Sequence, residues 1–216
     1  MAKITAITVQ KKDNDRFNLF VDGEFLFGVG VSTVAKNNLY INKDISDDEI
    51  EKIRIEDLVD RVYLRVSEYA INSHKTSKDI INYCRELLYK KADDWFPKDL
   101  FNELKESLPE QILQKLIDNG IVNDKIYAEM FVEDRLKYRP RSKRMIISEL
   151  IKKGINVEQA KETVENIEID ERKIIREILM KKYHTDKITR QDNKKISFLA
   201  GKGFDWDTIS DVLDDE

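Results

Sequence analysis

The chain has 216 residues, 41% hydrophobic and 37% charged, with a net charge of -4 at pH 7. That length fits one or two domains, and the scarcity of Gly (7) and Pro (3) suits long, exposed helices rather than a compact sandwich. No apolar run approaches the ~18 residues that span a bilayer, no signal-peptide core opens the chain, and the single cysteine, Cys84, excludes an internal disulfide. The expected location is the reducing cytoplasm, away from membranes.

The first segment reads as β. In "ITAITVQ", Ile4 and Ala6 point to one side, Thr5 and Ile7 to the other. "DND", Asp13 to Asp15, is a turn signal, and "RFNLFV" then places Phe17, Leu19 and Val21 on one face. Asp22-Gly23 is a favoured two-residue hairpin turn, because both central residues need positive φ. "EFLFGV" is the return strand. The expectation is a small antiparallel unit from about Ile4 to Val29, packed on a helix because a lone hairpin is marginal.

From there the chain reads as helix. Ser32 is expected to cap a short helix through Asn38, and Ser46 with Glu49 forms a capping box that opens a helix at "DDEIEKI". "LVDRVYLRVSEYAI" sets Leu58, Val62, Val66, Tyr69 and Ala70 at helical spacing. Thr76 or Ser77 caps "KDIINYCRELLYKK", whose apolar face is Ile80, Ile81, Cys84, Leu87 and Leu88. "DDWFP" breaks that helix, and "KDLFNELKE" is another short one. Ser107 with Glu110 reads as a second capping box before "QILQKLI", and Gly120 ends that helix as a left-handed C-cap residue.

The second half repeats. "LIKKGI" around Gly154 returns 49 residues later as "LAGKGF" around Gly203. Leu150 and Leu199 precede the glycines by four; Val157 and Trp206, Ala160 and Ile209, and Val164 and Leu213 follow at matching offsets, one apolar helix face. A register of 48 also aligns "PEQILQKLIDNGIVNDK" with "VEQAKETVENIEIDERK". Each unit reads as a helix, a basic helix ending in Gly, and a short helix, the signature of stacked helical modules. The boundaries drawn are 1–56 for the hairpin unit with short helices, then modules at 57–122, 123–169 and 170–216. The first module departs most, with an apparent insertion "KADDWFPKDLFNELKES".

Charge is distributed unevenly along the chain. Residues 1–60 hold 8 basic and 12 acidic side chains, residues 135–153 hold 8 and 1, residues 172–202 hold 10 and 3, and residues 203–216 hold 0 and 6. Two basic blocks in an acidic protein point to a surface aimed at phosphate or at an acidic partner; solvated helix faces are the plain alternative. In the first block Ile146, Ile147 and Leu150 are expected to face the core and Lys143 and Arg144 the other side or its margin. Three arginines in six residues favour bidentate grip on carboxylate or phosphate.

No catalytic or metal constellation emerges. His74 and His184 lie far apart in polar surroundings, Cys84 falls on an apolar helix face, and "GKGF" lacks the phosphate-loop pattern. Trp95, Phe96 and Trp206 are expected in the core or between modules, with Trp206 taking the place of Val157, and "DVLDDE" reads as a solvated tail.

Three segments carry a family resemblance: "GIVNDKIYAEMFVEDR" (120–135), "RSKRMIISELIKKGI" (141–155) and "KKISFLAGKGFDWDTISDVL" (194–213). In order and spacing the chain resembles the RecX family, regulators of the RecA recombinase. It departs from the pattern at Asn123, where the family usually has one of a pair of aspartates, in the "RPRS" loop, and in the insertion after Lys91. The resemblance implies a mostly α fold, three tandem three-helix modules in an elongated curved array behind the small N-terminal antiparallel hairpin unit. It implies no catalysis, no cofactor and no small-molecule substrate. The implied partner is the RecA–single-stranded DNA filament, bound along its groove, with filament extension, ATP hydrolysis and strand exchange restrained during DNA repair and recombination. Direct contact with single-stranded DNA stays open, as does a nucleic-acid binder or adaptor acting without RecA. The expected contact residues are Arg135, Arg139, Arg141, Lys143, Arg144, Lys152 and Lys153 in the second module, with Arg190, Lys194, Lys195 and Lys202 in the third.

Overall fold

The computed structural model describes residues 1–11, 13–95 and 98–213, with side chains at all of these except 93, 98 and 99. Phe96 and the last three acidic residues of the tail therefore lie outside the described residues. The chain divides into two compact units: Met1–Ser73 with Ile80–Ile121, and His74–Asp79 with the chain from Val122 onward.

The first unit opens with β1 (Ala2–Gln10), β2 (Asp13–Val21) and β3 (Glu24–Gly30), followed by α1 (Val31–Lys36) and the two-residue β4 (Asp44–Ile45). The strands form one antiparallel sheet in the order β3-β2-β1-β4. Asp22 and Gly23, at φ 50° and 89°, make the hairpin turn that the sequence predicts. "DND" instead belongs to β2, whose Asp13 pairs with Gln10. Within it the Asp15 amide donates to the Asp13 carboxylate at 3.1 Å. Ile4, Leu19, Val29 and Ile45 share one sheet face and meet Leu39 and Ile53 in a buried core.

A capping box at Ser46 and Glu49 opens α2 (Asp47–Ile71), which runs 25 residues without interruption. Ser32 does not cap α1: Gly30 is the N-cap residue, and Ser32 lies in the first turn with its hydroxyl toward Asp60. Buried Asp57 on α2 ties helix to sheet. Its carboxylate accepts from the Gly30 amide at 2.6 Å and from Arg16 at 2.7 Å, so the buried charge is paired and hydrogen-bonded.

Next come α3 (Ser77–Trp95), α4 (Lys98–Leu104) and α5 (Leu108–Asp118). The predicted apolar faces are the buried ones: Leu58, Val62, Val66 and Ala70 on α2, and Ile80, Cys84 and Leu88 on α3. Thr76 is the cap of α3, its hydroxyl accepting from the Asp79 amide. The second predicted box fails. Ser107 has helical φ and ψ (-92°, -29°), which turn its hydroxyl away from the helix amides, and Glu110 pairs with Arg85 at 3.0 Å.

The second unit continues with α6 (Asp124–Tyr138), α7 (Lys143–Lys152), α8 (Val157–Asn166), α9 (Glu171–Tyr183), α10 (Asn193–Gly201) and α11 (Trp206–Ser210). Ala128, Val132, Ile146, Leu150, Ala160 and Val164 form one core among α6, α7 and α8. Ile175, Leu179, Leu199, Phe204, Ile209 and Val212 form a second among α9, α10 and α11. Gly154 and Gly203 sit at φ 96° and 94° in matching Schellman turns, with Ile155 and Phe204 donating back to Leu150 and Leu199.

Two expected core positions are not core. Val157 and Trp206 are 42% and 54% exposed. Each is the first residue of a short helix behind an extended N-cap residue, Asn156 or Asp205, so the buried face starts three residues later at Ala160 and Ile209. Trp95 is half-buried and carries the Arg61 guanidinium on its ring at 4.1 Å.

Candidate functional site

The second unit holds a groove of about 550 Å³ between the C-terminal end of α6, the following loop, α9 and α10. Six cations line it, Lys137, Arg139, Arg141, Lys181, Lys182 and Lys202, against one carboxylate, Glu177. The Phe198 ring forms part of the wall, with the Lys182 ammonium 3.4 Å from its centre and Lys202 at 5.3 Å. Tyr138, 59% exposed, stands at the edge.

Local folding places these groups. Arg139 is the C-cap residue of α6, and Pro140 follows it, so the helix ends and releases the arginines into the groove. Lys181 and Lys182 close the last turn of α9, where cations also meet the negative end of the helix dipole. Lys202 lies in the glycine turn after α10 and donates to the Pro140 carbonyl at 3.3 Å. Burial lowers its pKa from the ordinary lysine value, and Arg141, Lys182 and Lys181 lower it further by repulsion. Lysines crowded in this way favour an incoming anion, because the anion relieves like-charge repulsion that the protein leaves unpaired.

The expected basic residues do not all converge. Arg139, Arg141 and Lys202 meet in the groove. Glu149 takes Arg135 at 2.6 Å and Arg141 at 3.1 Å, so one carboxylate holds two arginines half-buried. Arg135, Lys152 and Lys153 line a different cavity of about 320 Å³ with Lys78, Asp79, Phe131 and Glu149. The Lys143 amide donates to Glu171 at 2.8 Å, while Arg144 is exposed and lies near the Gly203 carbonyl. Arg190 and Lys194 are exposed around the start of α10, and Lys195 donates to Asp192 and to the Lys187 carbonyl. Lys137, Lys181 and Lys182 were not singled out in the sequence. The lysine pair at the end of a helix, inside the second basic block, is the signal that points to them.

The fold and groove together define a helical-repeat protein with a cationic groove. A family model described as the regulatory protein RecX N-terminal domain matches residues 2–46, and one described as RecX, second three-helix domain, matches residues 123–164. The chain is 30% identical over 219 residues to regulatory protein RecX of Clostridium beijerinckii, covering 99% of this chain and 95% of the relative. It is 29% identical to that of Bacillus velezensis, covering 99% of this chain and 77% of the relative. A crystal structure of regulatory protein RecX shares the fold at a TM-score of 0.69 and 20% identity over 98% of both chains. RecX from Lactobacillus salivarius gives 0.54 at 25% identity over 73% of this chain and 95% of that one. The chain belongs to the RecX family, and its role is regulatory.

Proposed function

We propose that the chain is a non-enzymatic modulator of the RecA recombinase in the cytoplasm, binding the RecA–single-stranded DNA filament and restraining filament extension, ATP hydrolysis and strand exchange. The groove of six cations against one carboxylate carries this reading of the contact face, with family membership supplying the partner. A filament of acidic protein surface and DNA phosphate offers the charge such a groove lacks. Arg139, Arg141 and Lys202 form its centre with Lys137, Lys181 and Lys182. Lys143, Arg144, Lys152, Lys153, Arg190 and Lys194 extend the contact beyond it, whereas Arg135 and Lys195 act through internal ion pairs.

The test is RecA's DNA-dependent ATP hydrolysis on preformed filaments, with this protein added well below the RecA concentration. Inhibition is expected, and the double variant Lys181→Glu/Lys182→Glu is expected to need a much higher dose. No effect up to equimolar amounts of folded protein would reject the reading. Tyr138 and Phe198 beside the cations favour a second reading, direct binding of single strands through phosphate contacts and stacked bases. Titration of a bare oligonucleotide at several salt concentrations separates the two. Direct binding predicts a log–log slope of about -0.7 per phosphate contact.

A further inference from the structure

The groove leaves the first unit without a role, yet that unit has a built pocket of its own. It measures about 300 Å³ and lies between β3, α2 and the C-terminal end of α3. Pockets for small ligands begin at about this size, enough for a side chain or two. Two arginines define it. The Arg61 guanidinium carbon lies over the Trp95 ring, 4.1 Å from its centre, and that of Arg54 lies over Phe27 at 5.9 Å. A guanidinium that stacks by its face keeps its N–H edge available for hydrogen bonds.

The carboxylates nearby are already committed. Asp57 is held by Arg16, by the Gly30 amide and by Thr33, and Asp94 pairs with Lys91 at 3.1 Å. Among the described residues neither Arg54 nor Arg61 has a hydrogen bond or an ion pair. Arg61 is also half-buried. Burial lowers its pKa, the neighbouring Arg16 lowers it further, and Asp57 opposes both. A cation that has lost water and has no carboxylate hydrogen-bonded to it is costly unless a ligand supplies one.

We infer that this pocket binds a carboxylate-bearing, aromatic-containing peptide segment of a partner protein, gripped by Arg54 and Arg61 between the walls of Trp95, Phe27 and Phe25. Two planar forks suit a planar carboxylate bidentately. Phe25, 58% exposed at the pocket, offers its ring to an aromatic neighbour of that carboxylate. A nucleic-acid strand fits less well. Residues 1–60 carry 8 basic and 12 acidic side chains, so a long polyanion leaving the pocket meets net repulsion, whereas one short acidic segment does not. The inference is independent of the RecA reading, because it uses no residue of the groove.

The chain has two tryptophans, so in a Trp206→Phe background Trp95 alone reports on the pocket. The probe is an acetylated Glu-Asp-Phe-Asp-Glu amide, compared with its Gln-Asn-Phe-Asn-Gln counterpart. The acidic peptide is expected to shift Trp95 fluorescence saturably and the neutral one not to. Arg54→Gln, which does not touch the Trp95 stack, is expected to weaken binding about ten- to a hundredfold, on the scale of charged hydrogen bonds. Arg61→Lys keeps the charge but loses the fork, and is expected to weaken it as well. Lys181→Glu/Lys182→Glu is expected to leave it unchanged. Equal response to both peptides, full affinity in folded Arg54→Gln and Arg61→Lys, loss of binding in the groove variant, or displacement of the peptide by a short oligonucleotide would each overturn the inference.

Discussion

At Gly154 the turn after α7 receives the start of α3. The Thr76 hydroxyl donates to the Lys153 carbonyl at 2.9 Å, and the Ser77 amide donates to Asp124, the first residue of α6, at 2.8 Å. At Gly203 the turn after α10 receives the start of α7. The Ser142 amide donates to the Lys202 carbonyl at 3.2 Å, and the Lys143 amide donates to Glu171, the first residue of α9, at 2.8 Å. The two joints share one plan. An orphan amide at a helix start is satisfied by the acidic first residue of a later helix, and a capping residue sits on a glycine turn. Their surroundings differ. Around Gly154, Lys78, Lys152, Lys153 and Arg135 are mixed with Asp79 and Glu149, whereas the groove near Gly203 is lined by six cations and one carboxylate, Glu177, with Arg141 also paired to Glu149 from outside it. Backbone docking is therefore what the repeat reproduces. Surface charge is free to differ, and it gathers at one joint.

The strongest way to break the comparison is to add a methyl group at each glycine. A Cβ on Gly203 would lie 2.5 Å from Ser142 Oγ and 2.8 Å from Met145 Cβ, and one on Gly154 would lie 2.6 Å from Lys78 Cβ. Both Gly203→Ala and Gly154→Ala also strain a left-handed backbone, so each is expected to cost about 2–4 kcal/mol in urea unfolding. Gly120→Ala is the control. Its φ is +69° but nothing lies within 4 Å, so only the backbone strain of about 1–2 kcal/mol is expected. Equal losses at all three would mean that close docking contributes nothing.

Glu149→Gln sharpens the contrast in charge. It removes the carboxylate shared by Arg135 and Arg141 and is expected to cost about 1–3 kcal/mol. It also frees Arg141 for the groove, so the same variant is expected to bind a bare oligonucleotide more tightly, read by anisotropy at low salt. Lys181→Glu/Lys182→Glu is expected to leave the urea midpoint nearly unchanged, while the salt slope of binding falls by about one for each phosphate that is no longer neutralised.

The smallest effect lies away from both joints. Burial raises the Cys84 thiol from the ordinary 9.0 to about 12. The folded chain keeps the proton while the unfolded chain gives it up, so this group's contribution to stability falls as pH rises from about 9 toward 12. Cys84 is expected to resist iodoacetamide at pH 8 until the protein is unfolded, and Cys84→Ser is expected to flatten the alkaline decline.

Much of the fold was legible because its signals are local. The Asp22-Gly23 turn, the Ser46–Glu49 box, the apolar faces of α2 and α3 and the repeat about Gly154 and Gly203 each follow from a few neighbouring residues. The misses are local signals that tertiary context overrode. Ser107 has the right partner at the right spacing but the wrong backbone, and Trp206 has the right repeat position but sits at a helix start that faces water. The cationic groove was half legible, because composition marks where cations are dense and says nothing of which ones meet.

By itself, then, the sequence determined the element types, the glycine turns, the apolar faces and the family, since each depends on residues within a few positions or on their order along the chain. Tertiary structure alone decided which charges meet. Glu149 takes up Arg135 and part of Arg141, while α9 brings Lys181 and Lys182 across to Arg139 and Lys202. Charge–charge energies depend on distance and burial, and packing sets both.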